Sequence, residues 1–193
     1  MSTEGVTPIA VERHETIGHW LRERAERFGD RVLLDVVGEQ RSAAGVYRGA
    51  SDVAAGLVGL GLDVGDRVAV MMSNSASNID AWLGICTAGL VEVPINTSQR
   101  GDLLQYLLAQ SGSRAVVVDA ALAERIERVA ADVPSLEHVI VHGPGADDLA
   151  LPDRITRHSL DSIRSDGAVP DPGIDCYATS AVLYTSGTMG PSK

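Results

Sequence analysis

Apolar residues along the chain alternate between helical spacing and short continuous runs. Helical spacing predicts helices over the segments 17–28, 46–60, 79–86, 103–108 and 122–129. Continuous apolar runs of strand length alternate with them at 31–37, 67–72, 90–93, 114–119, 137–142 and 180–186. This alternation predicts an α/β fold with a layered, mostly parallel sheet and flanking helices.

Polar residues and glycines indicate where the first helices begin and end. Thr16 is the predicted N-cap of the first helix, Gly29 its end, and Gly61 the end of the second. Trp82 and Cys86 share one helical face, which predicts that both are buried. The predicted organisation is an α/β core at 14–142, a loop-rich connection at 143–178 with a short helix near 159–164, and a strand plus glycine-rich loop at 180–193.

Composition narrows the classes of partner. The net charge of −10 is spread along the chain, which argues against nucleic acid or an anionic membrane as partner. The longest apolar run, 68–72, is too short to span a membrane, and the N-terminus lacks the pattern of a signal peptide. Cys86 and Cys176 have no partnered spacing, so neither a disulfide framework nor a zinc site is expected, and the predicted location is cytoplasmic.

Several residues outside the glycine-rich loop are of types that often bind ligands or metals, but here a structural role is predicted for each. His138 and His142 lie four apart on a predicted strand with no third ligand nearby, so no metal site is expected. Asn96 and Asp66 are predicted turn residues. Tyr184 is expected to fill the sheet rather than to contact a ligand.

The segment 184–193, YTSGTMGPSK, has the chemistry of a phosphate site. Glycines allow backbone N–H groups to approach oxygens closely, hydroxyls donate hydrogen bonds, and the terminal lysine is the only lysine of the chain. The residues concerned are Thr185, Ser186, Gly187, Thr188, Gly190, Ser192 and Lys193. The spacing fits neither a Walker A loop nor G-x-G-x-x-G, and a plain surface turn is the structural alternative.

This loop resembles the phosphate loop of the adenylate-forming enzymes, the acyl-CoA synthetase superfamily, whose pattern is Y-T-S-G-T-T-G-x-P-K. Met189 departs from it by replacing the second threonine, and Pro191-Ser192 replaces x-Pro. The resemblance continues upstream over 60–118, where a G-DRVAV run, a helix ending in AG and the segment VPIN follow in the order of that family's N-terminal subdomain.

The resemblance implies a ligase that couples a carboxylic acid to ATP and passes the acyl group to a thiol, usually CoA. It assigns ATP binding to Thr185, Ser186, Gly187, Thr188, Gly190 and Lys193. It implies no direct metal site, since Mg²⁺ would bind through the ATP phosphates with Thr188 as a further contact, and no catalytic residue in this segment. The order of the motifs favours a bacterial CoA ligase for fatty or medium-chain acyl substrates, or a carnitine-type ligase.

The resemblance also implies an adenine-binding segment, a ribose-binding aspartate, a hinge and a catalytic lysine, all downstream of the loop. The chain is therefore expected to be the front part of a longer enzyme, inactive alone, with its C-terminal part, the carboxylic acid, ATP and CoA as partners. A homodimer is left open. The alternatives are a non-catalytic module for nucleotide binding or association, and an adenylating enzyme that loads a different acceptor.

Overall fold

The structure is a computed structural model that describes residues 15–167, 169 and 171–185. Residues Ala120–Leu122 form a short 3-10 turn. The elements in chain order are α1 Ile17–Phe28, β1 Val32–Val36, β2 Glu39–Ser42, α2 Ala43–Gly59, β3 Arg67–Met71, α3 Ala76–Thr87, β4 Val91–Pro94, α4 Gly101–Ser111, β5 Ala115–Asp119, α5 Ala123–Ala130, β6 His138–His142, β7 Thr156–Ser159 and α6 Leu160–Ile163.

Five parallel strands form the main sheet, in the order β4-β3-β5-β6-β7. Alternate residues of β3 point to opposite faces: Val68 and Val70 pack in the cluster with α2, α3 and α6, whereas Ala69 and Met71 pack in the cluster with α4 and α5. Burial of both faces explains why β3 and β5 are continuous apolar runs. The predicted class, α/β with a parallel sheet and flanking helices, is confirmed.

The strand predicted at 31–37 exists but does not join that sheet. It forms an antiparallel hairpin with β2, and Val32 is 58% exposed. Val37 and Gly38, with φ of 52° and 84°, make the turn between the two strands. The partner strand reads Glu-Gln-Arg-Ser, so apolar patterning could not reveal it.

Strand β7 lies in the segment 143–178, for which the sequence predicted only a short helix. It reads Thr-Arg-His-Ser and pairs in parallel with β6, with Thr156 opposite His138. An edge strand needs fewer apolar residues than a central one, since one of its sides has no partner strand. The short helix predicted after it is confirmed as α6.

The prediction that Trp82 is buried is wrong, because its side chain is 39% exposed. Helix α3 packs closely against α2 through Gly84, where an added Cβ would lie 2.8 Å from the carbonyl oxygen of Ala50. This close approach turns Ala81 and Ile85 toward the core and Trp82 outward. Cys86 is buried as predicted, and burial raises the pKa of its thiol to about 12.

The predicted limits of α1 are confirmed by its capping contacts. Thr16 Oγ1 accepts a hydrogen bond from the backbone N–H of His19 at 3.2 Å. Gly29 follows the helix with φ of 49°, and its N–H donates to the carbonyl oxygen of Ala25 at 2.9 Å.

Candidate functional site

The segment that leads into the glycine-rich loop, residues 180–185, is called the lead-in segment. It runs parallel to the free edge of β4, where Ala181 bridges Glu92. The Glu92 N–H donates to the Ser180 carbonyl oxygen at 2.9 Å, and the Val182 N–H donates to the Glu92 carbonyl oxygen at 2.8 Å. This edge therefore fixes the direction in which the chain approaches the loop.

The strand predicted over 180–186 is thus reduced, in the described residues 180–185, to a single bridge. In a parallel ladder the next hydrogen bond would come from the backbone nitrogen of residue 94 on β4. That residue is Pro94, which has no N–H to donate, so the ladder stops after Glu92. Successive side chains of the lead-in segment still point to opposite sides, as in a strand. Val182 and Tyr184 pack against the apolar cluster formed with α4 and α5, whereas Leu183 is 68% exposed.

Only the first residue of the predicted phosphate site can be placed. Thr185 is exposed at the end of the lead-in segment. Its neighbour Tyr184 packs against the core as expected. The pKa of the Tyr184 phenol is raised, mainly by burial and to a smaller extent by the nearby Tyr106. The remaining predicted residues lie outside the described part of the chain: Ser186, Gly187, Thr188, Gly190, Ser192 and Lys193.

Glu92 was not among the predicted site residues, although it interrupts the apolar run 90–93. Its side chain is only 9% exposed, and burial raises the pKa of its carboxyl group to about 7. It lies close to Cys86 of α3, whose thiol is 3.9 Å from the carbonyl oxygen of Ser180. A buried carboxyl group therefore stands beside the point where the lead-in segment is held.

The carboxyl ends of β3 and β5 form the switch point of the sheet, because the chain continues from β3 to β4 on one side and then returns to β5 on the other. The carboxylate of Asp119, at the end of β5, links the two strand ends by accepting a hydrogen bond from the N–H of Ser73, which follows β3, at 2.7 Å. The Asn78 side chain donates to the Ser73 carbonyl oxygen at 3.3 Å. Apart from its position at the end of a predicted strand, no sequence pattern indicates a role for Asp119.

The loop that follows β4 is held by side chains as well. Arg125 of α5 donates to the carbonyl oxygen of Thr97 at 2.5 Å and to that of Gln99 at 3.4 Å. Asn96 Oδ1 accepts from the Ser98 N–H at 2.8 Å, which confirms its predicted role in a turn. The loops after β3 and β4 are thus ordered by internal hydrogen bonds at the edge where such sheets bind ligands.

A cleft of about 850 Å³ lies elsewhere, between α1, α2 and the described residues of 166–174. None of the lead-in or switch-point residues lines it. His138, one of the two histidines weighed as metal ligands, lies with Nδ1 3.1 Å from Nε2 of His158 on β7. Within the described residues no group of three or more His, Cys, Asp or Glu side chains is arranged to hold a metal ion. Nor does any helix in that part have the length and apolar character to cross a membrane.

Comparisons with known proteins agree with this fold. The family described as AMP-binding enzyme matches residues 21–193. A long-chain-fatty-acid–CoA ligase of Mycobacterium tuberculosis is 34% identical over 141 residues, which cover 71% of this chain and 25% of the relative. Triostin synthetase I of Streptomyces triostinicus is 29% identical over 178 residues, 92% of this chain and 32% of the relative. The chain thus spans about a quarter to a third of the length of these relatives.

Solved structures are also similar to this chain. An anthranilate CoA ligase in complex with anthranoyl-AMP superposes with a TM-score of 0.82 at 21% identity, covering 95% of this chain and 34% of that one, and shows the likeness of fold. The N-terminal domain of FACL13 from Mycobacterium tuberculosis superposes with a TM-score of 0.74 at 30% identity, covering 92% of this chain and 43% of that one.

Proposed function

Because the chain belongs to the AMP-binding enzyme family, we propose that it supplies the N-terminal part of an ATP-dependent ligase that joins a carboxylic acid to CoA. The family match over residues 21–193, which includes the glycine-rich loop, is the observation that carries the proposal. The relatives named as long-chain-fatty-acid–CoA ligases favour a fatty acyl substrate.

In the proposed reaction the substrate carboxylate attacks the α-phosphorus of ATP, pyrophosphate leaves, and the acyl group of the adenylate passes to the CoA thiol. Negative charge grows on the departing pyrophosphate. Donors placed at that charge lower the barrier, and Mg²⁺ would supply further positive charge there. Positioning and electrostatics therefore account for the contribution of this part of the chain, with no nucleophile required from it.

Each residue of the loop has a proposed role in holding the triphosphate. Gly187 and Gly190 allow their backbone N–H groups to reach phosphate oxygens. The Thr188 hydroxyl contacts a phosphate or its Mg²⁺, and Lys193 brings the positive charge. Exposure of Thr185 supports this assignment, because its hydroxyl is not engaged in the core. Ser186 provides a further hydroxyl donor.

The test is carboxylate-dependent ATP–pyrophosphate exchange in the full-length protein, with fatty acids as substrates. Lys193→Ala and Thr188→Ala should each lower the exchange rate by about 10²-fold, the usual cost of one donor to a developing anion. Thr156→Ala, on β7 and exposed, is the matched control and should leave the rate unchanged. Unchanged exchange in both loop variants would show that the loop does not hold the phosphates.

A second candidate is an adenylating enzyme that uses an acceptor other than CoA, and the similarity to triostin synthetase I favours it. Acyl-CoA detected by mass spectrometry would support the ligase. Acid-dependent exchange without acyl-CoA would support the other acceptor. ATP binding without any exchange would support a nucleotide-binding module. The cytoplasm is the proposed location, since the reaction consumes ATP and CoA.

A further inference from the structure

Pro94 lies at the point where the lead-in segment stops pairing with β4. The backbone of Glu92 faces the lead-in segment, whereas Ile95 faces β3, where its N–H donates to the Val70 carbonyl oxygen at 2.8 Å. Because successive residues of a strand turn their backbone groups to opposite sides, Pro94 faces the lead-in segment as Glu92 does. Pro94 therefore occupies the next pairing position along this edge, opposite Leu183.

Most residues at position 94 could make two hydrogen bonds to the lead-in segment. The N–H would donate to the Val182 carbonyl oxygen, and the carbonyl oxygen would accept from the Tyr184 N–H. Pro94 has no N–H, and its ring lies where the donor to Val182 would be. Within residues 15–167, 169 and 171–185, no backbone hydrogen bond joins Pro94 to Val182 or Tyr184. Both bonds of this pairing position are thus missing from the ladder.

The side chains show that the lead-in segment still runs beside the sheet after the ladder has stopped. Val182 and Tyr184 pack against the apolar cluster formed with α4 and α5. Leu183 points the other way, and Thr185 is exposed beyond it. Because the segment stays close to the sheet, the missing donor at Pro94 accounts for the end of the pairing.

We propose that Pro94 is a positioning residue for the phosphate loop. By ending the ladder after Glu92, it keeps the backbone of 182–185 from being drawn into the sheet and so sets the place from which the loop starts. The part of this proposal that concerns ATP rests on the proposed function. The part that concerns pairing stands on the hydrogen bonds of β4 and the lead-in segment alone.

A longer ladder would change the start of the loop because the two are adjacent in the chain. Tyr184, whose N–H the added pairing would fix, directly precedes Thr185, the first residue of the predicted phosphate site. Groups that bind phosphate act at hydrogen-bond distance, and a misplacement of about 1 Å can cost about 10²-fold in rate. Extension of the ladder is therefore expected to weaken the use of ATP. No group of this segment is proposed to bind the carboxylic acid, so the use of the acid should not change.

Amide hydrogen exchange followed by NMR in the 193-residue chain tests the pairing at single residues. In the wild type the Val182 amide, bonded to Glu92, should be protected and the Tyr184 amide should not. In Pro94→Ala the new amide at position 94 should be protected, and protection at Tyr184 should rise about tenfold, the effect of one net hydrogen bond. Pro134→Ala, at an exposed proline outside the sheet, is the matched control and should leave these amides as in the wild type.

Two results would overturn the proposed role in pairing. One is a Tyr184 amide in the wild type that is as protected as that of Val182, because the ladder would then continue past Pro94. This measurement needs no substitution, so it decides the question even if Pro94→Ala does not fold. The other is an unprotected amide at position 94 in a folded Pro94→Ala variant.

ATP–pyrophosphate exchange in the full-length protein tests the consequence for the loop. Pro94→Ala should raise the KM for ATP about tenfold and leave the KM for the carboxylic acid unchanged, whereas Pro134→Ala should change neither. An unchanged KM for ATP, or an equal rise of both KM values, would overturn the positioning role. Absence of exchange in the wild type would refute the proposed function, while the amide protection at Tyr184 would still decide whether Pro94 ends the ladder.

Discussion

Asp80 of α3 is 3% exposed, and its carboxylate accepts hydrogen bonds from two arginines. Arg41 of β2 donates at 3.3 Å and 3.4 Å, and Arg164, which follows α6, donates at 3.1 Å. The carboxylate fits because Gly49 of α2 has no side chain, since a Cβ there would lie 2.3 Å from Asp80 Oδ1. One carboxylate therefore ties the hairpin, α2, α3 and the chain after α6 together.

Asp80→Asn keeps the shape of this side chain and removes its charge. Loss of one partner from a fully buried ion pair costs about 3–5 kcal/mol, because the other charge stays buried without compensation. The side chains of Arg41 and Arg164 are 24% and 23% exposed, so water can partly replace the lost contacts. We therefore expect the free energy of unfolding to fall by about 2–3 kcal/mol.

Urea unfolding of the 193-residue chain measures this change. With a slope of about 2 kcal/mol/M, the midpoint for Asp80→Asn should be about 1–1.5 M lower than that of the wild type. Asp161→Asn is the matched control, because Asp161 also faces Arg164, at 3.8 Å, but is 83% exposed. The control should change the free energy by less than about 0.5 kcal/mol. Equal midpoints for the two variants would refute the reasoning.

Two further predictions concern packing and pH. Gly56→Ala places a Cβ 2.0 Å from the carbonyl oxygen of Ile163, so the melting temperature should fall by roughly 4–8 °C. Gly59→Ala is the control, because a Cβ there meets no atom within 4 Å, and it should not lower the melting temperature. An equal fall in melting temperature in both variants would contradict the close contact between Gly56 and Ile163. Burial lowers the pKa of both His138 and His158. As the pH falls, the unfolded chain therefore binds protons at these histidines before the folded chain does, and the free energy of unfolding should decrease from pH 7 to pH 5. His158→Gln should weaken this dependence in urea titrations, and an unchanged dependence would exclude the pair as its source.

The glycine-rich loop and the family could be recognised from the sequence, because a phosphate site depends on residue types at fixed local spacing. The other polar residues of the site region could not. Asp119 reaches Ser73 only because β3 and β5 are neighbours in the sheet. Glu92 bonds to Ser180 and Val182 only because the chain returns to the free edge of β4. Contacts of this kind join residues distant in sequence, and no local pattern encodes them.

The sequence by itself determined the helices and the apolar strands, since periodicity and capping act over a few residues: Thr16 and Gly29 limit α1, and the Val-rich runs form β3 and β5. The tertiary structure decided where the strands pair. Polar β2 and β7 became strands because partners with free N–H and C=O groups lay beside them. The absence of an N–H at Pro94 limited the lead-in segment to one bridge, since the length of a ladder depends on donors in both strands.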